Sequence, residues 1–143
     1  MKTIALRFAN NFAPIDGTIA EHQKVIDKLG FVWYGKLGTS ISTTISDQIL
    51  KNEEKKILLI HSGSAKRYWA HVDLIQREVP KLETIPEYYR NMAGQFKTWF
   101  RVIRFEEAPK DIMSKCTVAS SGSTLSQASK HSMSPYFIIE VNE

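Results

Sequence analysis

The sequence predicts one α+β domain built on a small, strongly bent sheet or β-barrel with inserted helices. Three observations predict it. Segments with strand character cluster along the chain, helical spacing appears only between some of them, and no regular β-α-β alternation runs through it. The chain has 143 residues, 43% hydrophobic and 24% charged, which suits one domain with one core over residues 1–143. No internal repeat or linker divides it.

Residues 2–9 alternate, with Ile4, Leu6 and Phe8 on one face, as a half-buried strand does. A turn at Pro14–Gly17 leads into Thr18-Ile-Ala-Glu21, which reads as a capping box. Ile19, Val25, Ile26 and Leu29 then recur at helical spacing, and Gly30 supplies a left-handed stop. Residues 31–36 are expected as a strand, 38–44 as a loop and 44–51 as a short helix. A charged connection enters a strand at 56–61, which turns at Ser62–Ala65 into a long strand, 67–76; the two form an antiparallel hairpin. Pro80 and Pro86 bracket an irregular stretch with a helical turn at Pro86–Met92. Residues 96–105 make another strand, 109–115 start a short helix, the Ser-rich tract 117–134 is a long loop, and Tyr136–Val141 closes the chain as a strand.

The composition narrows function by exclusion. The longest apolar run, Ile57–Ile60, fits a buried strand and falls far short of a membrane span. The start, MKTIALRFANNF, lacks the apolar centre and cleavage site of a signal peptide. A single cysteine, Cys116, excludes an internal disulfide and agrees with a reducing, cytoplasmic compartment. The net charge of +4 is mildly basic and compatible with a polyanionic partner.

Catalytic patterns are weak, and no cofactor is expected. His61 and His71 lie on adjacent strands with Asp73 nearby, but no HxxxH, CxxC or HExxH spacing accompanies them. Cys116 has no glycine elbow and no assignable base, and reads as an inert, half-buried thiol. The Gly-rich phosphate loops are absent. No catalytic or metal site is therefore assigned.

Binding patterns are stronger. Trp33-Tyr34, Tyr68-Trp69 and Trp99-Phe100 are adjacent aromatic pairs, and strand neighbours point to opposite faces. One of each pair is expected away from the main core. Trp69 shares a mixed polar face with His71 and Asp73. Lys36, Lys66, Arg67, Lys97 and Arg101 lie close by in sequence, and aromatics beside cations stack bases and neutralise phosphates. The tract 116–134 adds seven serines and no acidic residue; Ser121, Ser123 and Lys130 are its phosphate candidates.

The order of these segments resembles the EVE branch of the PUA-like superfamily, which also holds YTH and ASCH domains. The resemblance rests on Trp33–Gly35 after the first strand and helix, His61-Ser62-Gly63, Ala70 on the following strand, Trp99, and Ser132-Met133-Ser134-Pro135 before the last strand. It departs from that pattern at Trp69-Ala70, where a glycine is usual, and in having no Arg-Asn pair after Gly35. The resemblance implies a small barrel whose pocket reads a modified or flipped base, as in the specificity modules of modification-dependent restriction systems. The expected function is thus a nucleic-acid-binding module for a methylated or otherwise modified base, in DNA rather than RNA, without catalysis of its own. Its base pocket would draw on Trp33, Trp69 and Trp99, with Tyr34, Tyr68 and Ser62. Its partners would be nucleic acid and further domains or a nuclease subunit, with no membrane. The alternative is a protein-interaction or small-ligand module on the same fold, and a hydrolytic or RNA-modifying enzyme stands third.

Overall fold

In a computed structural model, which describes residues 1–8, 10, 13–61 and 64–142, seven strands form one mixed sheet. They are β1 (Lys2–Phe8), β2 (Val32–Leu37), β3 (Lys56–His61), β4 (Arg67–Gln76), β5 (Phe96–Glu107), β6 (Cys116–Val118) and β7 (Tyr136–Val141). Their spatial order is β2-β5-β4-β3-β1-β7-β6. The β3–β4 hairpin is antiparallel, as expected, with Leu58 opposite Trp69. β1 lies parallel to β3 and antiparallel to β7, so the first and last strands close the domain together.

The α+β class and the bent sheet agree with the sequence expectation. Register shifts between β4 and β5 at His71–Leu74 mark β-bulges, which bend a strand and sharpen its twist. The sheet curls so far that Ile4, Leu6 and Phe8 of β1 share a core with Val32 and Tyr34 of β2, although three strands separate them in the sheet. Helices α1 (Gly17–Leu29) and α2 (Thr43–Lys51) pack against this inner core through Ile19, Val25, Ile26, Ile45 and Ile49.

Two details differ from expectation. Thr18 does not cap α1: the helix begins at Gly17, Asp16 makes no side-chain cap, and the Thr18 N–H donates instead to Asn10 Oδ1 at 3.0 Å. A remote side chain does what the local box was expected to do. The tract 117–134 is also not one loop. It holds β6 and a helix, α3 (Leu125–His131), whose N-cap Thr124 accepts from the Gln127 N–H at 3.2 Å. Leu125 plugs the outer core formed by Ala5, Leu58, Trp69, Ile112, Met113, Phe137 and Ile139. Both faces of the sheet are therefore covered.

Candidate nucleic-acid interface

A slot of about 270 Å³ opens where the curled sheet brings the end of β1 to the end of β2. That size is near the lower limit of ~300–1,000 Å³ for ligand pockets, enough for one ring system. Leu6, Arg7 and Phe8 of β1 form one side, and Tyr34–Leu37 of β2 the other. Thr18 at the start of α1, the 3-10 segment Glu87–Gln95 and Pro135 complete the rim.

The walls are aromatic. Tyr89 and Phe96 stack with centroids 4.6 Å apart, Tyr88 meets Tyr89 edge-on at 5.0 Å, and Tyr34 lies 6.4 Å from Tyr89. Gly35 permits this closeness, because a Cβ there would sit 2.5 Å from Cγ of Phe96. Burial raises the pKa of Tyr34, Tyr88 and Tyr89, and the Tyr88 hydroxyl donates to Thr18 Oγ1 at 3.4 Å. Below them His22 is fully buried, 4.9 Å from Tyr34 and 4.8 Å from Tyr89. Its Nδ1 lies 2.8 Å from the Thr18 carbonyl, which makes Nδ1 the protonated nitrogen and Nε2 an acceptor. Nε2 has no partner among the described residues, and burial pushes the pKa down to about 4.

The electrostatics are one-sided. Arg7 and Lys36 line the slot, and no carboxylate does among the described residues. Lys36 is 5% exposed; its Nζ donates to the carbonyls of Thr39 (2.6 Å) and Leu37 (3.1 Å) and sits 4.4 Å over the Tyr136 ring. Burial lowers its pKa. Arg7 grips the backbone of the serine tract through the carbonyls of Ser129, Ser132 and Ser134. That grip sets Pro135 at the slot rim.

The tryptophans lie elsewhere. Trp99 is completely buried and, with Trp33, packs against Ile85, Tyr89, Ala93 and Phe96 beneath the 3-10 segment. Trp69 is buried in the outer core, with Lys56 Nζ 4.4 Å over its ring. The expectation of an open aromatic slot built from these three differs from their burial, and the reason is the two-sided sheet. At Trp33, Trp69 and Trp99 a side chain that points away from the inner core meets a second layer, not solvent. Of the expected pocket residues, Tyr34 lines the slot, and Tyr68 lines a neighbouring groove with Lys66 and His61. Strand alternation does not reach Tyr88 and Tyr89, whose available signal is that they are adjacent tyrosines after Pro86; Phe96 opens the strand expected at 96–105. Ser62 lies outside the described residues.

The phosphate candidates divide similarly. Lys66, Lys97, Ser121 and Lys130 are exposed, and Ser123 is half-buried. Arg67 Nη1 donates to the Lys110 carbonyl at 3.1 Å. Arg101 is held by Asp73 through two bonds of 2.8 and 2.9 Å and lies over Phe31. His71 pairs with Glu106 at 2.9 Å, and His61 is 3.1 Å from Asn10. Among the described residues no three His, Cys, Asp or Glu side chains converge as a metal site, and no helix is long and apolar enough to cross a membrane. Cys116 is fully rather than half buried, and burial raises its thiol to about 11.

No curated protein and no solved structure matches the chain. A family model described as Pua-like matches residues 4–139. Domains of that family are generally RNA- or DNA-binding modules and typically not catalysts. With nearly the whole chain covered by that match and the bent α+β sheet in place, the chain belongs to the Pua-like family.

Proposed function

We propose that this domain binds nucleic acid and holds a single modified, methylated base in the slot between β1 and β2, in DNA rather than RNA. The observation that carries the reading is the slot itself: aromatic walls from Tyr34, Tyr88, Tyr89 and Phe96, two cations, and no carboxylate among the described residues. A base that leaves its stack needs a π-surface to replace it and polar groups for its pairing edge. The half-buried Tyr88 hydroxyl and the backbone of β2 are the proposed partners of that edge. Exposed Lys66, Lys97 and Lys130 are the proposed backbone contacts. The reading includes the EVE-like subtype and a role as a specificity module for a nuclease partner in the cytoplasm.

The test is a binding panel of oligonucleotides that differ only in one base, unmodified or methylated, at several salt concentrations. A preference for one modified base, with affinity that falls steeply as salt rises, is the expected result. Salt-independent binding of a small molecule, with no oligonucleotide bound, would instead establish the small-ligand reading.

A further inference from the structure

Lys36 carries a positive charge into a covered part of the molecule. It is 5% exposed, and no other lysine or arginine among the described residues is buried. Taking an ammonium out of water is costly unless a counter-ion or a full set of hydrogen bonds replaces the water. Lys36 has no carboxylate within ion-pair distance among the described residues. Lys56 makes the contrast. Its Nζ also sits 4.4 Å over an aromatic ring, that of Trp69, but Glu54 meets it at 2.6 Å. Lys36 has its ring, Tyr136, and two neutral backbone carbonyls where Lys56 has an anion.

The local chain accounts for this placement. Tyr34 and Lys36 are two residues apart on β2, so their side chains leave the same face of the strand, and both residues line the slot. Past Lys36 the chain turns at Gly38, at φ +79°. The carbonyls on either side of that glycine both accept from Nζ, Leu37 at 3.1 Å and Thr39 at 2.6 Å. An ammonium has three N–H donors. Two are spent on these carbonyls, and the third has no acceptor among the described residues. Arg7, the other cation of the slot, is committed elsewhere. Its Nε and Nη2 donate to three carbonyls of the serine tract, and its guanidinium lies 5.5 Å from the Phe137 ring of the outer core.

We infer that Lys36 is a specificity-determining residue whose remaining N–H donates to a ring carbonyl of the base in the slot. The slot then selects methylated bases that keep such an oxygen over methylated adenine, which has none. This rests on the slot reading above. A cationic donor pairs with a carbonyl oxygen, as lysine does with guanine O6, whereas the amine and ring nitrogens of adenine are matched by the amide of Asn or Gln. The slot has the first kind of group and, among its described lining residues, neither of the second. The carbonyl also completes the hydrogen bonding of a buried ammonium, where a charge-assisted bond is strong.

The experiment measures wild type and Lys36→Met, which keeps an unbranched stem and removes the ammonium, against oligonucleotides that differ at one position. Single strands are used, so that base-pair strength plays no part. One carries 5-methylcytosine. Another carries the C-nucleoside of 2-amino-3-methylpyridine, which keeps the methyl and the amine but has hydrogen where cytosine has its carbonyl oxygen; mildly alkaline buffer keeps it neutral. A third carries N6-methyladenine, and a fourth is unmodified. Wild type should bind the first about tenfold or more tighter than the second or third. Lys36→Met should bind the first and second alike. If Lys36 only holds the turn at Leu37–Thr39, the variant weakens both probes by one factor and keeps the wild-type ratio, which overturns the inference. Equal wild-type affinity for the first two probes, or a wild-type preference for N6-methyladenine, also overturns it and leaves the slot reading standing. The wild-type comparison needs no variant, so a low melting temperature of Lys36→Met does not shelter the inference. A wild-type domain that prefers no methylated probe over the unmodified one removes the slot reading, and the role of Lys36 with it.

Discussion

The Trp33–Trp99 cluster and the slot are neighbours that share Tyr89 and Phe96, yet one is sealed and the other opens to solvent. Both draw on adjacent residues of β2: Trp33 points into the sealed cluster and Tyr34 toward the slot. The sealed side has Ile85 and Ala93 pressed onto the indoles. The open side has Lys36 and the half-buried Tyr88, which bring polar tips to its lining. Aromatic content alone therefore does not mark a binding surface. What marks it is an aromatic wall left without a covering layer.

The most severe test of this contrast is Trp99→Ala. Removing a completely buried indole should cost roughly 3–5 kcal/mol of stability, visible as a large fall in melting temperature. The folded fraction should keep its ligand preference. A Trp99→Ala protein that melts normally but no longer distinguishes modified oligonucleotides would show that the indole, and not the tyrosines, reads the ligand.

A smaller consequence is pH dependence, carried by His22 beneath the slot. Its folded pKa lies near 4, depressed by burial from the ordinary histidine value of 6.5. Between those values the unfolded chain binds a proton that the folded protein refuses, so stability falls as pH drops through this window. The loss should reach about 2–3 kcal/mol between pH 7 and pH 4.5. Denaturant unfolding of wild type and His22→Leu at both pH values isolates this share, since other groups contribute equally to both. Identical pH slopes would mean that His22 is solvated.

A subtler substitution separates affinity from stability. Tyr88→Ala removes a half-buried wall of the slot and should weaken binding of a preferred modified oligonucleotide by roughly 1–3 kcal/mol, or about five- to a hundredfold. Melting should shift far less than in Trp99→Ala. If the two variants behave alike in both measurements, the sealed and open regions are not functionally distinct.

Much of the fold is legible in the order of residues along the chain. The shared face of Ile4, Leu6 and Phe8, the 3.6-residue spacing of α1 with Gly30 at φ +86°, and the β3–β4 hairpin all follow from local rules and appear where expected, but β1 is buried on both faces rather than half-buried, since Thr3 and Ala5 are covered too. The candidate site is legible only in part. Tyr34 and Lys36 belong to it, but the tryptophans do not, because strand alternation says which side of the sheet a residue faces and not what covers that side. The α3 helix is hidden by its composition: Ser126, Ser129 and Ser132 look like loop, and Leu125 is the one large apolar residue that anchors it.

The α+β class, the strand segments, the lone cysteine and the lack of familiar catalytic spacings are thus properties of the sequence, since they depend on neighbours along the chain. Where the slot lies and which rings line it are properties of the folded molecule. β1 and β2 are separated by three strands in the sheet, and only the bulged curl of β4 and β5 brings Phe8 and Tyr34 into one core. The helical turn after Pro86 then adds Tyr88 and Tyr89, and Arg7 draws Pro135 to the rim by binding three backbone carbonyls far away in sequence. Such long-range closures have no local signature, because the interactions that hold them form only once the chain has folded.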